Sequence, residues 1–294
     1  YGVLSSPAFA NQAGDPQTTA AINSTSWSHP IYLEDPVSGS ANMVSGNDAQ
    51  GQPVSFRLRL PTGLTPAGGS DGHLHIIDSS RTTVYEMFQA TVGAGFVQAT
   101  DLITNDLKGL GVFDGESTPQ KELWHGTRAY VGSAIGGLIR KGELLGGIPH
   151  ALAVAVQRAA MNRITPNGMA YVWPASYRDD DWKTTYGASG TLHMGSLLAI
   201  PGGQDLATIL KTEGITDPAV VQMALALQDY GAYVVDATSD NLTFYAEPAE
   251  TAAAAMDESQ LARLIPYLVV VTNSTEGSPG GGGTPRKCLA PESQ

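Results

Sequence analysis

The residues with the clearest potential for chemistry lie in one short stretch, GGSDGHLHIID at positions 68–78. Asp71, His73 and His75 share one face if this stretch is extended, because side chains alternate between the two sides of a strand. A carboxylate beside imidazoles can act as a base, an acid or a metal ligand. Alternatively, Asp71 caps the turn and His73 is a hydrogen-bonded core residue. We take Asp71 and His73 as catalytic candidates.

Metal binding is the weaker hypothesis for this stretch. A His-x-His pair beside a carboxylate is how cupin-like barrels hold a metal ion, but a third and a fourth ligand are needed, and no Glu follows at the short spacing of those barrels. We therefore expect no metal ligands here and no cofactor. Only a structural Ca²⁺ would fit the run of Asp179, Asp180 and Asp181, although three consecutive Asp on a loop are more often solvated.

Three residues elsewhere in the chain are further catalytic candidates. Glu86 lies between an aromatic residue and a methionine in a predicted strand. If it is desolvated, its pKa rises and suits a general acid, whereas at a strand edge it would face solvent. Asp236 ends an apolar strand and either reaches into a cleft or caps the next turn. His150 opens an apolar segment, where a structural role is the alternative to a catalytic one.

Four side chains are candidates for binding a substrate. Trp173 and Tyr177 lie on a long aromatic-rich loop, and such loops are often functional. Sugar rings stack on aromatic faces of this kind, although buried packing explains the same composition equally well. Gln228 and Tyr230 precede Asp236 at the end of a predicted helix.

Short strands separated by Gly- and Pro-rich turns must position these residues. Strict alternation predicts a strand over 54–60, and the turn at 79–82 predicts a hairpin between 73–78 and 83–90. A helix is predicted over 217–230, because Asp217 is a good N-cap and Pro218 suits the first helical position. Further strands are predicted over 94–100, 150–157, 192–200, 232–236, 242–246 and 268–272, and further helices over 138–145 and 252–263.

The pattern predicts a mainly β fold, namely a single β-sandwich or jelly-roll-like domain with a few short helices. We expect an N-terminal arm over 1–28, the globular domain over 29–275, and a disordered Gly/Pro-rich tail or linker over 276–294. No run of about 20 apolar residues is present to span a membrane.

The composition limits the classes of partner. Asp and Glu number 28 and Lys and Arg 16, which gives a formal net charge of −12. No Lys/Arg cluster is present, so we expect neither nucleic acid nor an anionic membrane as a partner. The single cysteine, Cys288, excludes an intrachain disulfide. The charged fraction of 15% is low and is common in exported proteins, so we expect a secreted protein.

Several segments also resemble a group of secreted, chiefly actinobacterial proteins. The resemblance covers roughly residues 25–250 and implies export and a shared fold rather than a reaction. His75 departs from the pattern, and this further weakens the metal hypothesis. The matching segments are Gly69-Ser70-Asp71-Gly72-His73, Tyr85-Glu86, Ile148-Pro149-His150-Ala151-Leu152, Trp173-Pro174-Ala175 and positions 227–236 (LQDYGAYVVD).

These observations favour a secreted carbohydrate-active enzyme. We expect a glycoside hydrolase that acts on a polysaccharide through two carboxylates from among Asp71, Glu86 and Asp236, with His73 and His150 orienting them. One alternative is a polysaccharide lyase, although few cationic side chains are available to neutralise uronates; the candidates are Arg57, Arg59 and Arg128. The other alternative is a non-catalytic glycan-binding or surface-structural domain on the same fold.

Overall fold

The structure is a computed structural model that describes residues 5–7, 18–112, 126–165, 168–239 and 241–282. Its described residues form a mainly β fold with two sheets and a few short helices, and this confirms the predicted fold class. In chain order the strands are β1 Ser5–Pro7, β2 Ala20–Asn23, β3 Ile31–Leu33, β4 Ser40–Asn47, β5 Pro53–Leu60, β6 Leu74–Ile77, β7 Thr83–Phe88, β8 Thr91–Gly93, β9 Phe96–Asp106, β10 Leu152–Gln157, β11 Leu197–Ala199, β12 Ala232–Thr238, β13 Leu242–Tyr245 and β14 Val269–Val271.

The first sheet has the strand order β1-β14-β11-β12-β10-β13-β2. Its interior strand β10, the apolar run LAVAVQ, is almost entirely buried and pairs in parallel with β12 and antiparallel with β13. A strand that is buried on both faces reads as a continuous apolar run rather than an alternating one. This explains why 150–157 was predictable as a strand without a period of two.

The second sheet has the order β3-β6-β7-β9-β4-β5, with β8 added beside β9. The predicted hairpin is present: β6 and β7 pair antiparallel, and His75 lies opposite Glu86. Asp78 closes the turn, because its Oδ1 accepts hydrogen bonds of 2.8 Å from the backbone N–H groups of Thr82 and Thr83. Each sheet has its own cluster of buried apolar side chains.

The helices are α1 Glu143–Gly146, α2 Trp182–Thr185, α3 Leu206–Thr212, α4 Pro218–Asp229 and α5 Glu258–Ala262. The predicted helix over 217–230 is α4, and the side chain of Asp217 accepts a hydrogen bond from Ala219 N as its N-cap. Helix α4 packs against β11 and α1, so its apolar residues join the core of the first sheet. The other predicted helices are shorter than expected.

Three sequence-based boundaries differ from the structure. Within the predicted arm, β2 pairs in parallel with β13 and belongs to the first sheet. The predicted strand over 192–200 is reduced to β11, because Gly195, with φ +86°, turns the chain just before it. In the predicted tail, Pro279–Gly281 form a 3-10 turn, whereas 283–294, including Cys288, lie outside the described residues.

Candidate functional site

A cluster of three buried histidines lies where the two sheets meet. His29 lies two residues before the first residue of β3, and the parallel register that pairs Ile31 with His75 brings residue 29 beside position 73. The His75 N–H donates to Pro30 O at 3.0 Å and fixes this register. Ser28 Oγ donates to Ala246 O, just after β13, and anchors the same segment to the first sheet.

The three imidazoles are packed closely together. His29 Nδ1 lies 2.9 Å from His75 Nε2, and the ring centroids of His29 and His73 are 4.4 Å apart. Burial, with the positive charge of Arg128 adding to it, lowers the pKa of all three, and the pKa of His73 falls to about 4. Asp71 opposes this shift, because its Oδ2 lies 3.9 Å from His73 Nε2. The histidines are therefore neutral at ordinary pH.

Arg128 is the buried cation of the site. Its side chain is 1% exposed, and its Nε and Nη2 both donate to Ala134 O, at 3.0 and 2.9 Å. The guanidinium lies 3.9 Å from the centroid of the Tyr245 ring, a cation–π contact that stabilises a buried charge. Its Nη1 is buried without a hydrogen-bond partner. The two N–H groups of Nη1 are therefore donors that no group among the described residues satisfies.

Glu86, a predicted catalytic acid, is fully buried and heavily bonded. Its Oε1 accepts from Ser133 Oγ at 2.7 Å, and its Oε2 accepts from Ala134 N at 2.9 Å. Burial raises the pKa of Glu86, while these hydrogen bonds, a further one from Asn105 and the charge of Arg128 oppose the rise. These contacts indicate a structural role for Glu86, because they hold segment 126–134 against the second sheet.

Asp236 lies on β12 just after a β-bulge. The register with β10 pairs Val154 with Val234 but Ala155 with Asp236, so Val235 is the extra residue. Bulges redirect the following side chain and recur beside functional sites. Burial raises the pKa of half-buried Asp236 to about 7, and the negative charges of Asp179 and Asp71 raise it further, while the Ala237 N–H and Arg128 oppose them.

Asp179 comes from the aromatic-rich loop, and its negative charge raises the pKa of Asp236. Its Oδ2 accepts a hydrogen bond of 2.6 Å from Tyr186 Oη, and its Oδ1 lies 3.3 Å from Arg158 Nη2. Burial and the charge of Asp179 raise the pKa of Tyr186. Burial and the charge of Asp236 raise the pKa of Tyr245, on which Arg128, Asp71 and Asp179 also act. The charges of Asp236, Asp71 and Asp179 therefore all act on Tyr245, whose ring stacks on Arg128.

The predicted substrate-binding aromatic residues have different surroundings. Trp173 is partly exposed, packs edge-on against Tyr233 at a centroid distance of 6.2 Å, and is among the residues that line two clefts. Tyr177 instead packs against the guanidinium of Arg178, which also lies over Trp182. Trp173 thus lies where a ligand in either cleft would contact it, and Tyr177 contributes to the packing that holds the loop.

Gln228 and Tyr230 belong to the end of α4. Gln228 is 7% exposed, and its side-chain amide donates to Pro201 O and Gln204 O at 3.1 and 3.0 Å. The Tyr230 N–H donates to Ala226 O as the helix ends. These contacts favour a structural role over the substrate contact predicted for both.

His150 lies outside the histidine cluster. Its Nε2 is 3.0 Å from Glu143 Oε2, and its Nδ1 is 2.8 Å from Ala151 O. Burial lowers the pKa of His150, but the hydrogen bond and charge of Glu143 outweigh it, so the pKa is raised. An imidazolium with a hydrogen-bond partner at each ring nitrogen links α1 to the start of β10.

Sequence reasoning missed two residues of the site and undervalued a third. His29 and Tyr245 carry no local signal, since only the pairing of distant strands brings them to the other residues. Asp179 was expected to be solvated. The Pro30 that follows His29 and the length of the 173–182 loop were the available signals.

The described residues contain no helix that is long and apolar enough to cross a membrane. No protein-family model, no curated protein and no solved structure matches the chain.

Proposed function

We propose that the protein hydrolyses glycosidic bonds in a polysaccharide. Asp236 protonates the leaving oxygen, and Asp71 activates water or attacks the sugar. The observation that carries this proposal is the carboxyl group of Asp236, which follows a β-bulge and on which the charges of Asp179 and Asp71 both act. Glu86, the other carboxylate expected from the sequence, is replaced in this role because both of its oxygens are bonded within the protein.

Asp236 has the surroundings of a general acid. A catalytic acid must hold its proton near the working pH, and a buried carboxyl group facing another carboxylate does so. The groups that act on it are Asp179 and Asp71, which favour the protonated form, and Arg128, which opposes it. Asp179 acts as a positioning residue, because Tyr186 and Arg158 hold its carboxylate in place.

Asp71 is more accessible to solvent than Asp179, whose side chain is 13% exposed. The Asp71 side chain is 36% exposed and its Oδ1 accepts a hydrogen bond of 2.9 Å from Ser70 Oγ. The partner strand holds the turn, since Gln89 N donates to Asp71 O at 2.7 Å. An exposed carboxylate on a fixed backbone suits attack on a sugar or on water. The face of Trp173 is the candidate stacking surface for the polymer.

The test is the release of reducing ends from a panel of neutral and acidic polysaccharides. We expect wild-type protein to release product from one of them, and Asp236→Asn to lower the rate by at least about a hundredfold. Asp101→Asn is the matched control, because burial also raises the pKa of Asp101 but its charge is not among those acting on Asp236. Full activity in Asp236→Asn would contradict the proposal.

A polysaccharide lyase is the second candidate, favoured by one observation. The unpartnered Nη1 of Arg128 lies beside Tyr245, and a lyase needs a cation to neutralise a uronate. The same assay separates the two, because a lyase yields an unsaturated product that absorbs in the ultraviolet. No release from any substrate, with retardation by one polysaccharide in a native gel, would favour the glycan-binding alternative.

Action outside the cell is part of the same proposal. It is supported by the low charged fraction of 15% and by the size of polysaccharide substrates, which are degraded outside cells. Detection of the native protein in the culture medium of its source would test this directly, and its confinement to the cell interior would contradict it.

A further inference from the structure

The three buried histidines bring ring nitrogens close to one another. One ligand atom from each of His29, His73 and His75 lies within 4.8 Å of those of the other two. All three side chains are at least nine-tenths buried, with exposures of 1%, 4% and 0%. The cluster is fixed by backbone pairing, since β3 and β6 set the position of His29 against the other two.

Hydrogen bonding within the protein leaves this cluster incomplete. His29 Nδ1 and His75 Nε2 are 2.9 Å apart, so one donates and the other accepts. The second nitrogen of His75, Nδ1, is buried and has no hydrogen-bond partner. An unpaired buried polar atom is costly, and such atoms in a native protein often indicate a ligand or an ion.

His73 has the orientation of a metal ligand. Its Nδ1 lies 3.3 Å from Met87 O and 3.3 Å from Thr127 Oγ1. A metal-binding histidine almost always donates its other ring N–H to a carbonyl, a carboxylate or water, and this fixes the tautomer. With the proton on Nδ1, the Nε2 lone pair of His73 is free on the side of Asp71.

The charges around the cluster act in opposite directions. Arg128 places a positive charge near all three histidines, and this opposes a cation. Asp71 provides a negative charge 3.9 Å from His73 Nε2 and is accessible to solvent. The ligand set is otherwise neutral nitrogen, which suits Zn²⁺ and its neighbours among the transition metals rather than Ca²⁺ or Mg²⁺.

We propose that His29, His73 and His75 bind one transition-metal ion of the Zn²⁺ class, with a water molecule as the fourth ligand and Asp71 beside it. Three histidines and a water are a recognised zinc arrangement with an open position. This site goes beyond the proposed hydrolysis, and its binding of metal requires neither Asp236 nor any substrate. It also replaces the expectation of no metal ligand that the sequence alone supported.

The experiment is metal binding by the full chain, with no assay of activity. Protein freed of metal with EDTA is dialysed against Zn²⁺, and the bound metal is measured. We expect one Zn²⁺ per chain in wild type, and affinity at least about tenfold lower in His29→Gln, His73→Gln and His75→Gln, since even outer-shell changes cost that much. His193→Gln is the control, because His193 is partly buried but bonds to Asn162 O outside the cluster.

Two spectroscopic measurements on wild type keep the test independent of whether the variants fold. X-ray absorption of the zinc form should show three imidazole nitrogens at about 2.0 to 2.1 Å. The Co²⁺ form should show the intense visible bands of a four-coordinate ion. Binding of well under one equivalent, a first shell without three imidazoles, or equal loss of binding in His193→Gln would overturn the proposal.

Discussion

Ser133 Oγ donates a hydrogen bond of 2.7 Å to Oε1 of Glu86, 47 residues earlier in the chain. This contact joins the second sheet to the segment that carries Arg128, because Ala134 N donates to the other oxygen of the same carboxyl group. Ala134 O in turn accepts both hydrogen bonds from the Arg128 guanidinium. The position of the buried cation thus depends on a carboxyl group that the sequence alone had suggested for catalysis.

Removal of the Glu86 carboxyl group should destabilise the fold. In Glu86→Ala, the hydroxyl of Ser133 and the N–H of Ala134 lose their acceptors in a buried place, and each such loss costs about 1 to 3 kcal/mol. We expect the free energy of unfolding in denaturant to fall by about 3 kcal/mol. Glu86→Gln, which keeps one acceptor oxygen, should lose less. Unchanged stability in Glu86→Gln with abolished activity would instead support the catalytic role predicted from the sequence.

The contact between His150 and Glu143 should make stability depend on pH. The pKa of His150 is raised in the folded protein, so the folded state binds the proton more tightly than the unfolded state does. Its contribution is complete below the unfolded value of about 6.5 and is lost as the pH rises through the higher folded value. We expect about 1 kcal/mol or less, because the His150 side chain is 30% exposed.

Thermal unfolding of wild type and His150→Gln between about pH 5 and about pH 9 would measure this difference. The two curves should converge at the alkaline end. A gap that widens with rising pH would show that the sign is wrong. Loss of polysaccharide hydrolysis without loss of stability would restore His150 as a catalytic candidate.

The raised pKa of Asp236 should also make the stability of the fold decrease as the pH rises, although the cause of the raised pKa differs from that of His150. Burial and the charges of Asp179 and Asp71 raise the pKa of Asp236 to about 7, against about 3.9 in the unfolded chain. Its stabilising contribution, relative to an ionised carboxylate, is fully present below about 4 and is lost as the pH rises through about 7. Asp236→Asn should therefore become more stable relative to wild type as the pH rises through this window.

The expected gain in Asp236→Asn is at most about 4 kcal/mol near pH 8, since one pKa unit corresponds to about 1.4 kcal/mol. Denaturant unfolding at several pH values measures it, with Asp101→Asn as the control for a less buried carboxyl group. A difference between Asp236→Asn and wild type that does not vary with pH would contradict the raised pKa.

The sequence predicted local elements well and long-range contacts poorly. The hairpin of β6 and β7 depends on a short turn closed by Asp78, and α4 depends on its own cap at Asp217, so both were visible in adjacent residues. His29 meets His75 across 46 residues through a parallel pairing, and no local pattern specifies this register. The candidate site was therefore predicted only in part.

The same limit explains why Asp236 is the proposed general acid in place of Glu86. Glu86 and Asp236 both end or interrupt apolar strands, and the sequence does not distinguish them. The bulge at Val235 and the bonded segment 126–134 do so, because they leave Asp236 half-buried and Glu86 fully enclosed. Asp179 looked like one of three solvated aspartates until Tyr186 and Arg158 were found to hold it.

The proposed chemistry depends most directly on the influence of Asp179 on the proton of Asp236. Carbon-detected NMR of the aspartate carboxyl groups, with Asp236→Asn used to assign its signal, measures the pKa of Asp236 without any substrate. We predict titration near pH 7 in wild type, and a lower pKa in Asp179→Asn, because a like charge has been removed. A pKa of Asp236 in the ordinary aspartate range, or one that Asp179→Asn leaves unchanged, would contradict the acid–base site proposed for this protein.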